Sequence, residues 1–339
     1  MHCLSVRLAV PDKDGKCDDI VLGCDDAAAY EAHSSYFGGI VGRVANRIRD
    51  GKFQLNDKSY QLAQNNGGNA LHGGEEGFNK KHWTPKPVAN GVELSLHSPD
   101  GDQGYPGDVR VSATYTLVGK TLRLDMKGEA ATATPLNLAQ HSYFNLAGHA
   151  SGRSVLAHSA TLYCSRYTPL EDHLPTGAVT EVAGSPFDFT RGARIGPQIE
   201  ALGDSLGVPA SLAADGSAIV IPPEVEAIGE NKFLGFDDNF VIDGPAGADG
   251  LAKVALVADT SSGRTLLVES DAPGVQFYTG NFLGDTAGKG GAVYQRHGGL
   301  CLETQHYPDS ISRDANTAFG KGACPIVHAS HSYAHTVCR

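Results

Sequence analysis

Two strand-like segments carry side chains that could transfer protons near neutral pH. Residues 135–146 read PLNLAQHSYFNL, and strand alternation turns His141 to the face opposite the leucines. Residues 299–305 read GLCLETQ, and the same alternation turns Glu303 away from its leucine neighbours. Glutamate is depleted in strands, so Glu303 is either a catalytic base or an edge-strand charge. His141 is either an acid–base residue or a hydrogen-bonded structural histidine.

Four more polar residues stand where they could bind a hydroxyl-rich ligand. Gln276 shares a strand face with Tyr278 in the segment GVQFYTGNF. Asn46 and Arg47 follow a glycine-rich apolar run, and a surface ion pair is the alternative interpretation of Arg47. His72 lies in the turn LHGG, where histidines are usually solvated. Metal-ligand spacing, a GxGxxG fingerprint and a Walker loop are all missing from the sequence, and we expect no metal.

The elements that would position these residues have the period of β-strands. Apolar and polar residues alternate over 109–117 and again over 122–126, which predicts a hairpin that turns at 119–120. A second hairpin is predicted around Asn56 and Asp57, where short alternating runs flank a turn-forming pair. Both patterns bury one face of a strand pair and leave the other face polar.

The pattern along the whole chain favours an all-β fold. Helical signals are weak, with one or two turns predicted at 198–202. Residues 203–232 mix Ala, Gly and Pro without a period, and we expect a surface excursion there. No long linker divides the chain, so we expect residues 1–339 to form one domain, a large β-sandwich.

Composition narrows the classes of partner. The 339 residues carry a formal charge of −11 with no Lys/Arg cluster, which argues against nucleic acid and against an anionic membrane surface. No stretch of 18 apolar residues occurs. The seven cysteines are odd in number and form no CxxC pair, which favours a reducing compartment. We therefore expect a cytoplasmic protein. We also expect a monomer, with a dimer left open.

Taken together, the segments resemble the aldose 1-epimerase (galactose mutarotase) family. The similarity is carried by eight blocks in the family's order, which read YFGGIVGRVANRI (36–48), NALHGG (69–74), SPDGDQGYPGDV (98–109), HSYFNLAG (141–148), YTPLEDHLPTGA (167–178), GFDDNF (235–240), GVQFYTGNFL (274–283) and CLETQHYPD (301–309). Eight ordered blocks across nearly the whole chain are far more specific than any lone motif.

The resemblance implies a single β-sandwich with an open sugar cleft and mutarotation of free galactose and glucose without a cofactor. It implies that Glu303 is the general base and His141 the general acid, with Glu303 readily ionised and His141 kept protonated by a modest shift. The residues it places around the sugar hydroxyls are Asn46, Arg47, His72, Tyr143, Asp237 and Gln276. If 235–240 is extended, its phenylalanines face apolar packing and turn Asp237, rather than Asp238, toward the cleft.

The chain departs from the family in several places. It begins almost inside a strand, so we expect a missing strand partner near Cys3 to Val10 and an exposed edge. Asp238 stands where many relatives have His, and Tyr307 where some have Trp. The tail 310–339 keeps little of the usual ending. It retains Tyr333, His335 and Thr336 and adds Cys324 and Cys338.

Three other functions remain open on the sequence. A hexose-6-phosphate 1-epimerase would want several arginines at the phosphate end of the cleft, and only Arg47 stands near the site. A catalytically silent sugar-binding protein would not need both Glu303 and His141. A glycosidase would need two carboxylates flanking the bond, for which Glu303 and Asp237 are the candidates.

Overall fold

The computed structural model describes residues 4–33, 35–206, 211–213, 216, 218–220, 234–312, 319, 324–327 and 331–338. Strands dominate these ranges, which confirms the all-β fold, and the α-helices are Ala27–Ala32 and Ile195–Ser205. Single 3-10 turns lie at Arg49–Gly51, Phe78–Lys80, Asp102–Gly104, Val155–Ala157, Lys289–Gly291 and Ser310–Ser312. Within these ranges, neither helix has the length and apolar character needed to span a membrane.

The larger sheet has nine antiparallel strands and mixes distant parts of the chain. From edge to edge they are Ala193–Arg194, Ser159–Leu162, Ala252–Ala258, Thr265–Ser270, His331–Cys338, Thr121–Ala130, Val109–Val118, Gly91–Ser98 and Thr84–Val88. The strand His331–Cys338 lies in the middle, paired with Thr121–Ala130 on one side and Thr265–Ser270 on the other. The tail therefore joins the two halves of this sheet despite its departures from the family.

The smaller sheet has six antiparallel strands. Its order is Tyr143–Phe144, Leu300–Gln305, Gly274–Tyr278, Asp237–Val241, Arg166–Tyr167 and Thr180–Glu181. Every residue of Gly274–Tyr278 and of Leu300–Gln305 is buried, so these strands are covered on both faces. One of those faces belongs to the core and the other to a polar cleft.

Short strand pairs and one main core complete the sandwich. The pairs join Ala9–Pro11 with Cys17–Asp19, Ile40–Val41 with Ala139–Gln140, Arg47–Ile48 with Ala70–Leu71, Lys52–Leu55 with Lys58–Gln61, Thr134–Pro135 with Ile326–Val327, Leu170–Glu171 with Leu174–Pro175, Ser211–Leu212 with Ile219–Val220 and Thr286–Ala287 with Val293–Tyr294. The core packs Val257 and Val268 of the larger sheet with Phe277 and Leu302 of the smaller. Burial of these apolar faces against each other is the main force that holds the sheets together.

Both predicted hairpins are confirmed. Val109–Val118 pairs with Thr121–Ala130 around the turn at 119–120, with Val118 opposite Thr121. Lys52–Leu55 pairs with Lys58–Gln61, and Asn56 and Asp57 both take the left-handed backbone conformation that such a turn requires. Alternation and turn chemistry were sufficient to predict both elements.

The helical prediction was too short. The helix runs over Ile195–Ser205 instead of 198–202, because Ile195, Ile199 and Leu202 all fall on its buried face. Most of the expected surface excursion at 203–232 lies outside the described residues, as does Cys3. The prediction that the segment from Cys3 to Val10 lacks a strand partner was wrong for Ala9 and Val10, because the strand Ala9–Pro11 pairs with Cys17–Asp19. The first described residue, Leu4, bridges to Gly39.

Candidate active site

A cavity of about 210 Å³ opens on the face of the smaller sheet that points away from the core. All eight residues predicted for the site line it, although they come from six separate segments of the chain. They are Asn46, Arg47, His72, His141, Tyr143, Asp237, Gln276 and Glu303. The fold therefore brings together the whole set that the sequence suggested.

Three adjacent strands place the acidic and amide side chains. Gln276 lies directly opposite Glu303 on the next strand, while Asp237 lies opposite Tyr278. Gln276 Nε2 donates a 2.8 Å hydrogen bond to Asp237 Oδ1. Since Val275 and Phe277 point into the core, alternation leaves Gln276 and Tyr278 facing the cavity, as predicted.

The register of 235–240 is the predicted one. Phe236 and Phe240 are fully buried in the core, and Asp237 lines the cavity. Asp238 is not a water-exposed loop carboxylate, because its side chain is buried on the core side of the strand. Desolvation there raises the pKa of Asp238 to about 7, against which the hydrogen bond from the Asp237 amide acts weakly.

Arg47 is a cavity residue and not a surface ion pair. Its guanidinium lies 4.0 Å from Asp237 Oδ2, and its Nε donates to Asn66 Oδ1 at 3.1 Å. The strand Arg47–Ile48 pairs with Ala70–Leu71, which brings the Asn46–Arg47 pair beside His72. A short strand pair is thus enough to join two segments that are separated by a turn-rich loop.

His72 is buried rather than solvated, and its protonation state can be assigned from its contacts. Its Nδ1 accepts a hydrogen bond from the Asn46 backbone N–H at 3.2 Å. Burial, with His141 and Arg47 nearby, holds the pKa of His72 well below its usual range. The neutral ring therefore carries its proton on Nε2, from which it can donate to a ligand oxygen.

The proton on Nε2 of His72 also bears on whether the site could bind a metal. His72, His141 and Glu303 each offer a ligand atom, and these atoms lie within 4.8 Å of one another. A metal at Nε2 of His72 would require that nitrogen to lose its proton while Nδ1 keeps accepting from Asn46. This donor set therefore fits a neutral hydrogen-bonding site better than a metal site.

His141 and Glu303 form a buried pair, with His141 Nε2 3.5 Å from Glu303 Oε1. His141 lies between the short strands Ala139–Gln140 and Tyr143–Phe144, and the second of these pairs antiparallel with the strand of Glu303, with Tyr143 opposite Cys301. The Cys301 thiol lies 3.5 Å from His141 Nδ1. Glu303 Oε2 is buried with no hydrogen-bond partner among the described residues. An unsatisfied buried acceptor beside a cavity is suited to a ligand hydroxyl.

The expected charge states of this pair need correction. Burial lowers the pKa of His141 to about 4 and raises the pKa of Glu303 well above its usual range, with Asp237 adding to the rise. An ionised Glu303 beside a protonated His141 is therefore not the state that burial favours. Burial instead places the shared proton on Glu303 and leaves His141 neutral.

Several cavity residues were missed by the sequence analysis. Tyr36, Asn66 and Phe282 line the cavity from loops, where strand alternation gives no information. Strand alternation over 135–146 would also place Asn137 and Asn145 on the face of His141, but the structure gives both of them structural roles. Asn137 bonds the backbone of His306, and Asn145 bonds backbone carbonyls of other loops.

The block 98–109 has a structural role, which is to hold the side chain of Arg43. The buried guanidinium of Arg43 donates to the backbone oxygens of Pro106, Gly107, Ser98 and Pro99. These carbonyls belong to the block 98–109. The block therefore anchors the segment that carries Asn46 and Arg47 into the site.

The smaller sheet of this β-sandwich presents a histidine–glutamate pair in a polar cleft of the size of a sugar ring. These features define the class of the protein, which is one that performs acid–base chemistry on a carbohydrate. The profile of the aldose 1-epimerase family matches residues 6–333. The chain belongs to the aldose 1-epimerase family.

Individual relatives agree with this assignment. Galactose mutarotase of Homo sapiens is 41% identical over 313 residues, covering 92% of this chain and 82% of that protein. Aldose 1-epimerase of Escherichia coli is 31% identical, covering 91% and 81%. The crystal structure of an aldose epimerase homologue from C. elegans superposes with a TM-score of 0.80 at 25% identity, covering 99% and 91%. Galactose 1-epimerase from Lactobacillus acidophilus gives 0.70 at 24% identity, covering 97% and 87%.

Proposed function

We propose that this protein is an aldose 1-epimerase that interconverts the α and β anomers of free hexoses, galactose and glucose. The observation that carries the proposal is the contact between His141 and Glu303 at 3.5 Å in the wall of a small polar cavity. The cavity, at about 210 Å³, is below the usual range for drug-sized ligands and suits a single sugar ring. Curated relatives carry the same activity in their names.

The reaction requires an acid and a base close together. The C1 hydroxyl loses a proton while the ring oxygen O5 gains one, the C1–O5 bond breaks, the aldehyde rotates, and the ring closes on its other face. Both oxygens are bonded to C1, so a pair in direct contact can reach both. Each partner contributes roughly 10²–10⁴-fold, or about 3–5 kcal/mol of barrier.

The roles of Glu303 and His141 are those that the family resemblance implies, and they set a requirement on the protons of the pair. Glu303 is the base for the C1 hydroxyl and His141 the acid for O5, and they exchange roles when the ring closes. The pair needs one proton in total. When that proton rests on Glu303 in the free enzyme, it must move to His141 as the sugar binds, over a separation of 3.5 Å.

The remaining predicted residues hold the hydroxyls of the sugar. Asp237, already bound by Gln276 and near Arg47, presents an oriented carboxylate to the cavity. His72 donates from Nε2, and Asn46 orients it through its backbone N–H. The ring of Tyr143 is stacked on that of His141, with the centroids 5.1 Å apart. Tyr143 therefore provides both an aromatic wall for the site and a hydroxyl group for the sugar.

The alternative functions are less well supported. Arg47 is the one arginine lining the cavity in the described part of the chain, and its nearby carboxylate disfavours a phosphate group. A glycosidase would need Asp237 as its second carboxyl group, but Gln276 and Arg47 engage it. A silent sugar-binding protein would gain nothing from burying Glu303 beside His141, since burying ionisable groups is costly.

We further propose one domain over residues 1–339 and a monomer in the cytoplasm, with a dimer as the alternative. Five cysteines are free thiols in the described residues, which suits a reducing compartment. The acidic charge of −11 argues against nucleic acid as a partner.

Polarimetry on freshly dissolved α-galactose and α-glucose tests the proposed activity. Optical rotation should reach equilibrium faster with enzyme than without, in proportion to enzyme concentration, for at least one of the two sugars. An unchanged rate for both sugars, together with acceleration for hexose 6-phosphates, would support the phosphate-specific alternative instead.

A further inference from the structure

Tyr36 packs its ring against both histidines of the site. Its ring centroid lies 4.6 Å from that of His72 and 5.6 Å from that of His141, where the two planes are within 23° of parallel. The two imidazole centroids are themselves 5.4 Å apart. Apart from the contact between the two histidines, Tyr36 is therefore the one side chain in the described part of the cavity wall whose ring contacts both His72 and His141.

The backbone that carries Tyr36 is tied to the residue on which its ring stacks. Gly38 N–H donates to the carbonyl of His141 at 2.9 Å, and His141 N–H donates to the carbonyl of Gly39 at 2.8 Å. Gly39 N–H in turn closes the turn on the Tyr36 carbonyl at 3.0 Å. The position of the tyrosine ring relative to the imidazole of His141 is thus fixed by main-chain hydrogen bonds.

Tyr36 also adopts a costly backbone conformation. Its φ of 57° lies in the left-handed region, which bulky residues rarely occupy and which persists only when the surrounding structure determines it. Such strain is common at functional sites. In this loop, the left-handed backbone conformation of Tyr36 directs its ring against the two histidines instead of toward solvent.

The stacked rings matter for proton transfer. Burial disfavours the charged form of His141, yet the proposed reaction passes through that form. Tyr143 stacks on the same imidazole at 5.1 Å, and the other groups that face it are Glu303, His72 and the Cys301 thiol. The face of an aromatic ring attracts a cation, so tyrosine rings can favour an imidazolium that the low-dielectric site otherwise opposes.

We propose that Tyr36 is a positioning residue, which acts through its ring to fix the two imidazoles and to favour the charged form of His141 during ring opening. The inference rests on the proposed function, because it assigns Tyr36 to the acid of that reaction. The alternative is that the Tyr36 hydroxyl binds the sugar, since Arg47 is near enough to lower the pKa of the phenol that burial raises.

Two substitutions separate the ring from the hydroxyl. Tyr36→Phe keeps the ring, and we expect kcat and KM within about twofold of wild type. Tyr36→Leu removes the ring, and we expect kcat to fall about tenfold with KM changed less than threefold, in line with the strength of a desolvated cation–π contact. Leucine and tyrosine are similarly strained at a positive φ, so the conformational cost of the backbone at position 36 is the same in Tyr36→Leu as in the wild type.

Nuclear magnetic resonance of the His141 ring gives a readout independent of turnover. The pKa of His141 should be lower in Tyr36→Leu than in wild type, and unchanged in Tyr36→Phe. Tyr60→Leu is the matched control, because Tyr60 stacks on Phe53 at 5.1 Å outside the cavity, and its loss should change neither kcat nor the titration of His141.

Several outcomes would overturn the inference. An equal loss of kcat in Tyr36→Phe would assign the effect to the hydroxyl, and a change confined to KM in Tyr36→Leu would make Tyr36 a sugar-binding residue. If Tyr36→Leu does not fold, Tyr36→Met replaces it, and failure of both to fold would make Tyr36 a folding residue. A wild-type rate in His141→Asn would contradict the proposed function, whereas an unmoved His141 titration contradicts the role of Tyr36 alone.

Discussion

At the scale of single residues, the proton count of the His141–Glu303 pair decides when the enzyme can work. The pair must hold one proton, and burial widens the pH range in which it does. Below the lowered pKa of His141, about 4, both groups are protonated. Above the raised pKa of Glu303, both have lost their protons. The two apparent values belong to the pair and not to either residue.

We therefore expect a broad pH profile. After subtraction of the spontaneous rate, kcat/KM for galactose should stay level through neutral pH, fall on the acid side near pH 4, and fall on the alkaline side only above neutrality. Polarimetry over a series of buffers gives the profile. Unshifted groups would instead work only between about pH 4.3 and 6.5, so a rate that declines above pH 6.5 would contradict the assigned shifts.

Site residues in segments with strand periodicity could be predicted from the sequence, whereas site residues in loops could not. His141, Glu303 and Gln276 were found because alternation separates them from apolar neighbours. Tyr36 was missed, because its ring reaches the histidines through a left-handed turn that no local pattern encodes. The charge states were also missed, since desolvation depends on neighbours that the sequence does not place together.

At the scale of elements, the register of the strand Asp237–Val241 selects which carboxylate meets the sugar. Asp237→Asn keeps the shape but weakens a charge-assisted hydrogen bond worth about 1.5–3 kcal/mol, so kcat/KM for galactose should fall by about tenfold or more. Asp238→Asn should leave kcat/KM nearly unchanged, because that side chain lies on the core side. The opposite ranking in a polarimetric assay would show that the register is shifted by one residue.

Elements with a clear period were predicted well, and those defined by tertiary contacts were not. The hairpin Val109–Val118 with Thr121–Ala130 follows from alternation and its turn. The helix Ile195–Ser205 was underestimated, because its apolar residues are few and its length depends on packing against the core. The short pair Arg47–Ile48 with Ala70–Leu71 gives no periodic signal, yet it brings His72 to the site.

At the scale of the whole molecule, buried histidines link stability to pH. Burial lowers the pKa of His141, His158 and His297 to about 4, and it holds the pKa of His72 well below its usual range. Each binds a proton in the unfolded chain, near pH 6.5, before it does so in the fold. Their stabilisation is therefore present above pH 6.5 and is lost as pH falls toward 4, by up to about 3 kcal/mol for each of His141, His158 and His297.

Two buried carboxyl groups act in the opposite direction. The pKa values of Asp238 and Glu303 are raised in the folded protein, so the folded protein binds these two protons at a higher pH than the unfolded chain does. This difference opposes acid unfolding. Four histidines outnumber them among the described groups. We expect the free energy of unfolding, from urea titrations, to fall steeply between pH 6.5 and 4.5. A constant free energy over that range would contradict the burial of neutral histidines.

The sandwich itself was predictable as a class from alternation, but its topology was not. Alternation shows which strands have one buried face, whereas the pairing of His331–Cys338 between Thr121–Ala130 and Thr265–Ser270 joins segments far apart in the chain. The ordered blocks shared with the aldose 1-epimerase family supplied what local pattern could not. They predicted an open cleft and the residues around it, but not which sheet carries that cleft.

The central claim, that Glu303 is the base of an aldose 1-epimerase, is tested most directly by polarimetry of Glu303→Gln on α-galactose. Burial already favours the neutral side chain at this position, so the variant should fold, with an unchanged circular dichroism spectrum. Glu171→Gln, at an exposed position of the strand Leu170–Glu171, is the matched control and should keep the wild-type rate. We predict a loss of at least about 10²-fold in the catalysed rate for Glu303→Gln. A rate equal to wild type in that folded variant would contradict the account.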